Sequence, residues 1–154
     1  IVMREQLLEA KSEATAEFIA QYEAKEKDNM QLFVLTNTTP VLSLFRPAHG
    51  AIQLAFSLKE KRYGVLIQTQ ENENVTAVLA GTVVHVNYEI DNTYTIMVQH
   101  ANYLSVYKNM TKTLKAVGDK VQAGETLAIM GELPLWFELW QDGQPVNPEE
   151  VIAF

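Results

Sequence analysis

Hydrophobic and polar positions divide the chain into two regimes. Residues 3–29, MREQLLEAKSEATAEFIAQYEAKEKDN, contain no Gly or Pro and are rich in Ala, Glu, Lys and Gln, a composition that favours helix. Leu7, Ala14, Phe18 and Tyr22 recur near the helical period and line one stripe. Glu23 and Lys27 form a favourable i, i+4 pair on that helix, whereas Glu5 and Glu9 repel. The stripe suits a helix packed on its own domain. It suits equally the end of a longer arm docked on a partner, and so short a stripe does not separate the two. A connector follows, in which QLFVL reads as a short strand and Pro40 and Pro47 bracket VLSLFR.

From Gly50 the period shortens to two. AIQLAF, GVLIQTQ, VTAVLAGTVVHVNYEI, YTIMVQH, LSVYKN, TLAIMG and LWFELW are rich in Val, Ile, Thr and aromatics, as strands are. Turn signals separate them at 71–74, 91–92, 101–102, 123–125 and 142–143. WFELWQDGQPVNP reads as a hairpin whose Asp142-Gly143 pair supplies the positive-φ turn. The pattern predicts a mainly β fold of antiparallel sheets, a sandwich or open barrel, preceded by an N-terminal α-helix. The expected divisions are a helix or arm over 1–30, a connector over 31–44 and a β domain over 45–154.

Composition narrows the function classes. The 154 residues hold 47% apolar side chains, enough for one domain with a sizeable core. Twelve basic and 19 acidic residues give a net charge of −7, which argues against a general nucleic-acid binder, since phosphate contacts need a positive face. The same charge would steer a basic partner. Cysteine is absent, so thiolate zinc sites, disulfides and cysteine nucleophiles are excluded. No apolar run reaches the length of a membrane span. The opening IVMREQ, without an initiator Met or a basic n-region, reads as a mature or trimmed chain whose export signal lies outside it.

Six strings then line up in order: FRPAHGAI (45–52), YGVLI (63–67), VLAGTVVHV (78–86), TIMVQHANYLSVYKN (95–109), VGDKVQAGETLAIMG (117–131) and LWFELWQDGQPVNP (135–148). Together they resemble the LytM-like, lysostaphin-type zinc metallopeptidase family over residues 45–154. The resemblance implies a duplicated-hybrid-motif-like β fold with a long groove across a sheet. Active members cut the peptide cross-links of bacterial peptidoglycan. Their zinc takes three protein ligands and leaves a fourth position for the water that attacks the amide.

Carried over residue by residue, with Gly64 as anchor, the family's ligand positions fall on Arg62, Leu66 and Trp136. Its catalytic histidine positions fall on Asn109 and Pro134. The loop before Pro134 is short, with Glu132 and Leu133 alone between it and Gly131, so the Trp136 match is the firmer of the two. Leu and Trp do not ligate zinc, Pro offers no side-chain donor, and Arg is a fixed cation. The expectation is therefore an inactive member with no catalytic residue, no metal and no cofactor. His49, His85 and His100 form no ligand-spaced pair; His49 falls in a loop, and His85 and His100 fall in predicted strands as surface or satisfied residues. VGDKVQAGE also resembles the hairpin of lipoyl and biotinyl carriers. Lys120 lies within GDKV rather than on a following turn, so the string reads as a shared turn solution in which Gly118 and Gly124 permit tight corners.

Members of the family without zinc ligands include the EnvC-type murein hydrolase activators, in which the former groove binds a regulatory element of an amidase. The resemblance implies a groove lined by Arg62, Tyr63, Leu66, Asn109, Trp136, Glu138 and Trp140. The residue types include those favoured at interface hot spots. Equally, Leu66 and Trp136 could fill the space zinc would take. Trp136, Glu138 and Trp140 alternate along a strand and share one face. The two indoles could stack on glycan, and Glu138 could pair with Arg62 or a backbone group. The expected partners are a cell-wall hydrolase or envelope protein, with peptidoglycan as the alternative and a membrane complex reached through the N-terminal helix. The expected location is the periplasm or cell envelope.

Overall fold

Alternating apolar strands joined by tight polar turns fold into one branched sheet. The computed structural model describes residues 44–154, so the helix expected over 1–30 and nearly all of the connector lie outside the described residues. The strands are β1 (Ala51–Leu54), β2 (Gly64–Gln68), β3 (Asn74–Thr76), β4 (Gly81–Tyr88), β5 (Tyr94–Gln99), β6 (Tyr103–Thr113), β7 (Lys120–Val121), β8 (Thr126–Met130), β9 (Leu135–Gln141) and β10 (Gln144–Val146). A short 3-10 helix, Pro148–Glu150, follows, capped by the Asn147 side chain.

The main path of the sheet runs β1-β2-β9-β6-β5-β4-β7. β10 joins β9, β8 joins β6, and β3 joins β8. Every strand pairing is antiparallel. The expected mainly β, antiparallel fold is present as an open sheet. The Asp142-Gly143 turn closes β9 on β10 with φ of 52° and 77°, the mirror-image turn that matches strand twist.

The long string 75–90 does not form one strand. β3 ends at Thr76 and β4 starts at Gly81. Ala77 and Val78 between them are fully buried. Their backbone groups bond outside any ladder: Ala77 N–H donates to the Glu125 carbonyl and Val78 N–H to the Tyr107 hydroxyl. Strand-forming side chains there serve a buried crossover instead, because burial and β-propensity favour the same residues.

Alternation places the main core on one face. Val65 and Ile67 of β2, Ile96 and Val98 of β5, Tyr107 of β6, and Leu135, Phe137 and Leu139 of β9 join one cluster with Val75, Leu127, Met130 and Ile152. Tyr107 and Phe137 pack ring to ring, with centroids 5.3 Å apart. β6 changes neighbours part-way along. Tyr103–Lys108 pair with β9, and Met110–Thr113 pair with β8. Asn109 sits at the fork with φ 78°. There the β5 register also slips, as at a bulge that re-aims a strand.

Candidate functional site

β9 lies between β2 and β6, and its even-numbered residues face away from the main core. The register sets Leu66, Trp136 and Lys108 side by side on β2, β9 and β6. The next such row holds Gly64, Glu138 and Val106. Leu66, Leu104, Val106, Lys108, Trp136, Glu138 and Trp140 thus share one face by the two-residue strand period, and all seven are buried.

Glu138 is the centre of this face. Its side chain has no exposed surface. Oε2 accepts a hydrogen bond from Trp136 Nε1 at 2.8 Å, and Oε1 accepts one from Trp140 Nε1 at 2.9 Å. Lys108 Nζ stands 3.7 Å from Oε2, its side chain 2% exposed. Burial pushes the carboxyl above its ordinary range, while the Lys108 charge and the indole and lysine hydrogen bonds draw it back. Each oxygen has a donor, which meets the requirement that buried polar atoms be satisfied.

Gly64 makes the close packing feasible. A Cβ there would lie 2.5 Å from the Phe137 carbonyl oxygen, 2.7 Å from Glu138 Cγ and 3.0 Å from Trp136 Cζ2. No other residue type fits without displacing β9. Tyr63, one residue earlier, packs its ring against Trp140 with centroids 6.0 Å apart and planes tilted by 55°, a favourable aromatic arrangement.

Arg62 is placed elsewhere. It bridges to Ser57, its Nη1 donates to the Ala55 carbonyl at 2.9 Å, and Nη2 pairs with Glu60 at 2.6 Å. The expected Arg62–Glu138 pair is therefore corrected: the indoles and Lys108 take the carboxylate, and Arg62 serves the loop after β1. Asn109 and Pro134, the two positions matched to catalytic histidines, meet through one bond, Asn109 Nδ2 donating to the Pro134 carbonyl at 3.0 Å. That bond ties the fork in β6 to the residue before β9.

The side chains that the sequence resemblance matches to zinc ligands do not suit a zinc ion. Leu66 and Trp136 present no lone pair that could bind zinc, and Arg62 brings a cation already committed to a carbonyl and a carboxylate. The carboxylate of the row, Glu138, has both oxygens engaged. No group of three or more metal-ligating side chains occurs among the described residues.

Of the three histidines, His85 extends the Glu138 row across β5 to β4, through Met97 and Val106. His100 follows β5 rather than sitting within it. Its Nδ1 lies 2.9 Å from the Ala80 carbonyl and its Nε2 2.8 Å from Ser105 Oγ. A carbonyl only accepts, so Nδ1 carries the proton and Nε2 accepts from the serine hydroxyl. Burial holds this imidazole below its ordinary value, the Ala80 bond opposing in part. His49 is exposed in the loop before β1. His85 is partly buried on β4; burial lowers it most, Glu89 raises it and Lys108 lowers it further. A cavity of about 320 Å³ lined by Glu71, Asp91, Glu132 and neighbouring polar residues also lies outside the row.

Sequence reasoning did not single out Lys108. The signal was present: in LSVYKN, Leu104, Val106 and Lys108 alternate, so the lysine had to share the face of its apolar neighbours.

Comparison with known proteins gives four consistent likenesses. The sequence profile of peptidase family M23 matches residues 60–148. The murein hydrolase activator EnvC of Escherichia coli K12 is 29% identical over 93 residues, covering 56% of this chain and 22% of EnvC. The chain therefore spans less than a quarter of that relative's length. Among solved structures, Csd3 of Helicobacter pylori superposes with a TM-score of 0.66 at 20% identity, over 72% of this chain and 33% of Csd3. The antimicrobial peptidase lysostaphin from Staphylococcus simulans gives 0.51 at 19% identity, over 66% of this chain and 47% of its own. The two structures share the fold.

Proposed function

The chain belongs to peptidase family M23, and from that premise we propose that it is a non-catalytic member that binds a partner along the former active-site groove and so regulates a peptidoglycan hydrolase or an envelope assembly. The observation that carries the reading is the content of the ligand row. At two positions that the resemblance matches to zinc ligands, this chain has Leu66 and Trp136 packed beside a carboxylate already held by two indoles. Such a row offers no open coordination position and no metal-bound water, the two things the hydrolytic chemistry needs. The likeness to EnvC, itself a murein hydrolase activator, supports the regulatory role and an action in the cell envelope.

Arg62 and Tyr63 reach the surface while the row behind them is buried. A partner therefore meets Arg62 and Tyr63 first, on a floor whose shape the indoles set. Tyr and Arg at the rim of an apolar patch match the chemistry of protein hot spots.

The test uses dye-labelled sacculi, purified murein hydrolases, and the chain with and without added zinc. The chain alone is expected to release no dye in either condition. Mixed with a hydrolase it activates, it should raise release, and Tyr63→Ala with Arg62→Ala should reduce that gain while far-ultraviolet circular dichroism shows the sheet still folded. Zinc-dependent release by the chain alone would sink the pseudoenzyme reading. Sedimentation with sacculi, without stimulation of any hydrolase, would make it a wall-binding module instead.

A further inference from the structure

Both tryptophans of the chain donate to one side chain. Trp136 and Trp140 stand four residues apart on β9, about 13 Å along a strand. Glu138 lies midway, on the same face, with one oxygen turned to each indole. An ionised carboxylate is an acceptor only, with two equivalent oxygens, so it holds two N–H donors without conflict. A glutamine there would present one oxygen and one NH2 group, and the second indole would face a donor. Lys108 approaches from β6 at 3.7 Å, and Gly64 on β2 removes the Cβ that would push the carboxylate stem away. Among the described residues, Tyr63 stands against Trp140, and His85 on β4 lies in the Glu138 row beyond Met97 and Val106 and feels the Lys108 charge.

Resting on the groove reading above, we propose that Glu138 is a positioning residue: one carboxylate, holding an indole on each oxygen, sets the spacing and tilt of both tryptophans beneath the partner's apolar side chains. Large aromatic anchors contribute most to binding when their rotamers are fixed beforehand, because the ordering cost is already met. The two indoles then respond as a unit. Loss of the negative charge weakens both hydrogen bonds at once, so the floor changes shape in one step.

The deciding experiment follows tryptophan emission and near-ultraviolet circular dichroism from neutral pH into acid, with far-ultraviolet circular dichroism as a check that the sheet persists. The wild type is expected to show one transition, above the ordinary carboxylate range because Glu138 is buried. Trp136→Phe and Trp140→Phe each keep one reporter and one indole bond, so each should still show a single transition, moved upward from the wild type's because one stabilising donor is gone. Glu138→Gln should lack it. Absence of the transition from either Phe variant, or an unchanged transition in Glu138→Gln, overturns the proposal, as does its loss in His85→Gln, a variant that retains Glu138 and decides the matter even where Glu138→Gln does not fold. In the hydrolase assay, Glu138→Gln should lose stimulation while folded. Full stimulation by a folded Glu138→Gln chain that lacks the transition also overturns it. A wild type that shows the transition yet stimulates no hydrolase overturns the groove reading and leaves the carboxylate's hold on the indoles standing.

Discussion

The two faces of β9 are both buried and chemically unlike. Leu135, Phe137 and Leu139 enter the main core and carry no polar side-chain atom. Trp136, Glu138 and Trp140, on the other face, bury two indole N–H groups and a carboxylate, each polar atom partnered within the trio. Burial alone therefore does not tell core from site on this strand. The difference lies in what must be satisfied: the first face is held by area and fit, the second by donors and acceptors whose loss leaves a buried group without a partner.

The sharpest way to break this comparison is to truncate one residue from each face. Phe137→Ala should cost about 3–5 kcal/mol, as removal of a fully buried aromatic leaves a cavity. Trp136→Phe keeps a ring but deletes one donor to Glu138, and should cost about 1–3 kcal/mol. Urea denaturation of both variants measures the difference, and equal losses would mean that the second face is ordinary core.

A smaller effect is expected at the fork in β6. Asn109→Ala loses the bond to Pro134 and keeps a Cβ at φ 78° without the Asn side chain that tolerates this region, a backbone conformation that costs about 1–3 kcal/mol for such a residue. Asn109→Gly loses the bond alone and should be the milder change. The reverse order in thermal melts would mean that the positive φ at the fork is not a significant cost.

The smallest effect sharpens the role of the His100 network. Its folded pKa is lowered from 6.5, so the unfolded chain takes up a proton that the folded chain refuses. Stability is then full above 6.5 and falls as pH drops through that value toward the lowered one. Denaturation midpoints across mildly acidic pH should show this slope in the wild type and a flatter one in His100→Gln. An unaltered slope in the variant would assign the effect to His85, whose shift has the same sign.

Much of this was legible in the sequence. Period-two alternation located the strands of the sheet, and Asp142-Gly143 marked a turn that forms as read. Alternation also put Trp136, Glu138 and Trp140 on one face. What it did not reveal was register between strands distant in sequence. Glu138 is opposite Gly64 and Val106 rather than within reach of Arg62, and nothing local to either residue encodes that. The fork at Asn109 was hidden for the same reason: Asn tolerates positive φ, but the need for it arises only where β6 leaves β9 for β8. The break at 77–80 was masked because a buried crossover and a buried strand draw on the same apolar residues.

The place of β9 in the sheet has a consequence for how the chain is made. β2 and β6 both pair with β9 and not with each other, yet β9 is the ninth of ten strands in chain order. As the chain emerges from the ribosome or crosses a membrane, β1 and β2 wait on one side and β4, β5 and β6 on the other, each with an open edge. The two parts join only when Leu135–Gln141 arrives, a late closure by contacts remote in sequence. A chain stopped short of Leu135 is therefore two separate pieces of sheet with sticky edges, the form in which aggregation and proteolysis are most to be expected.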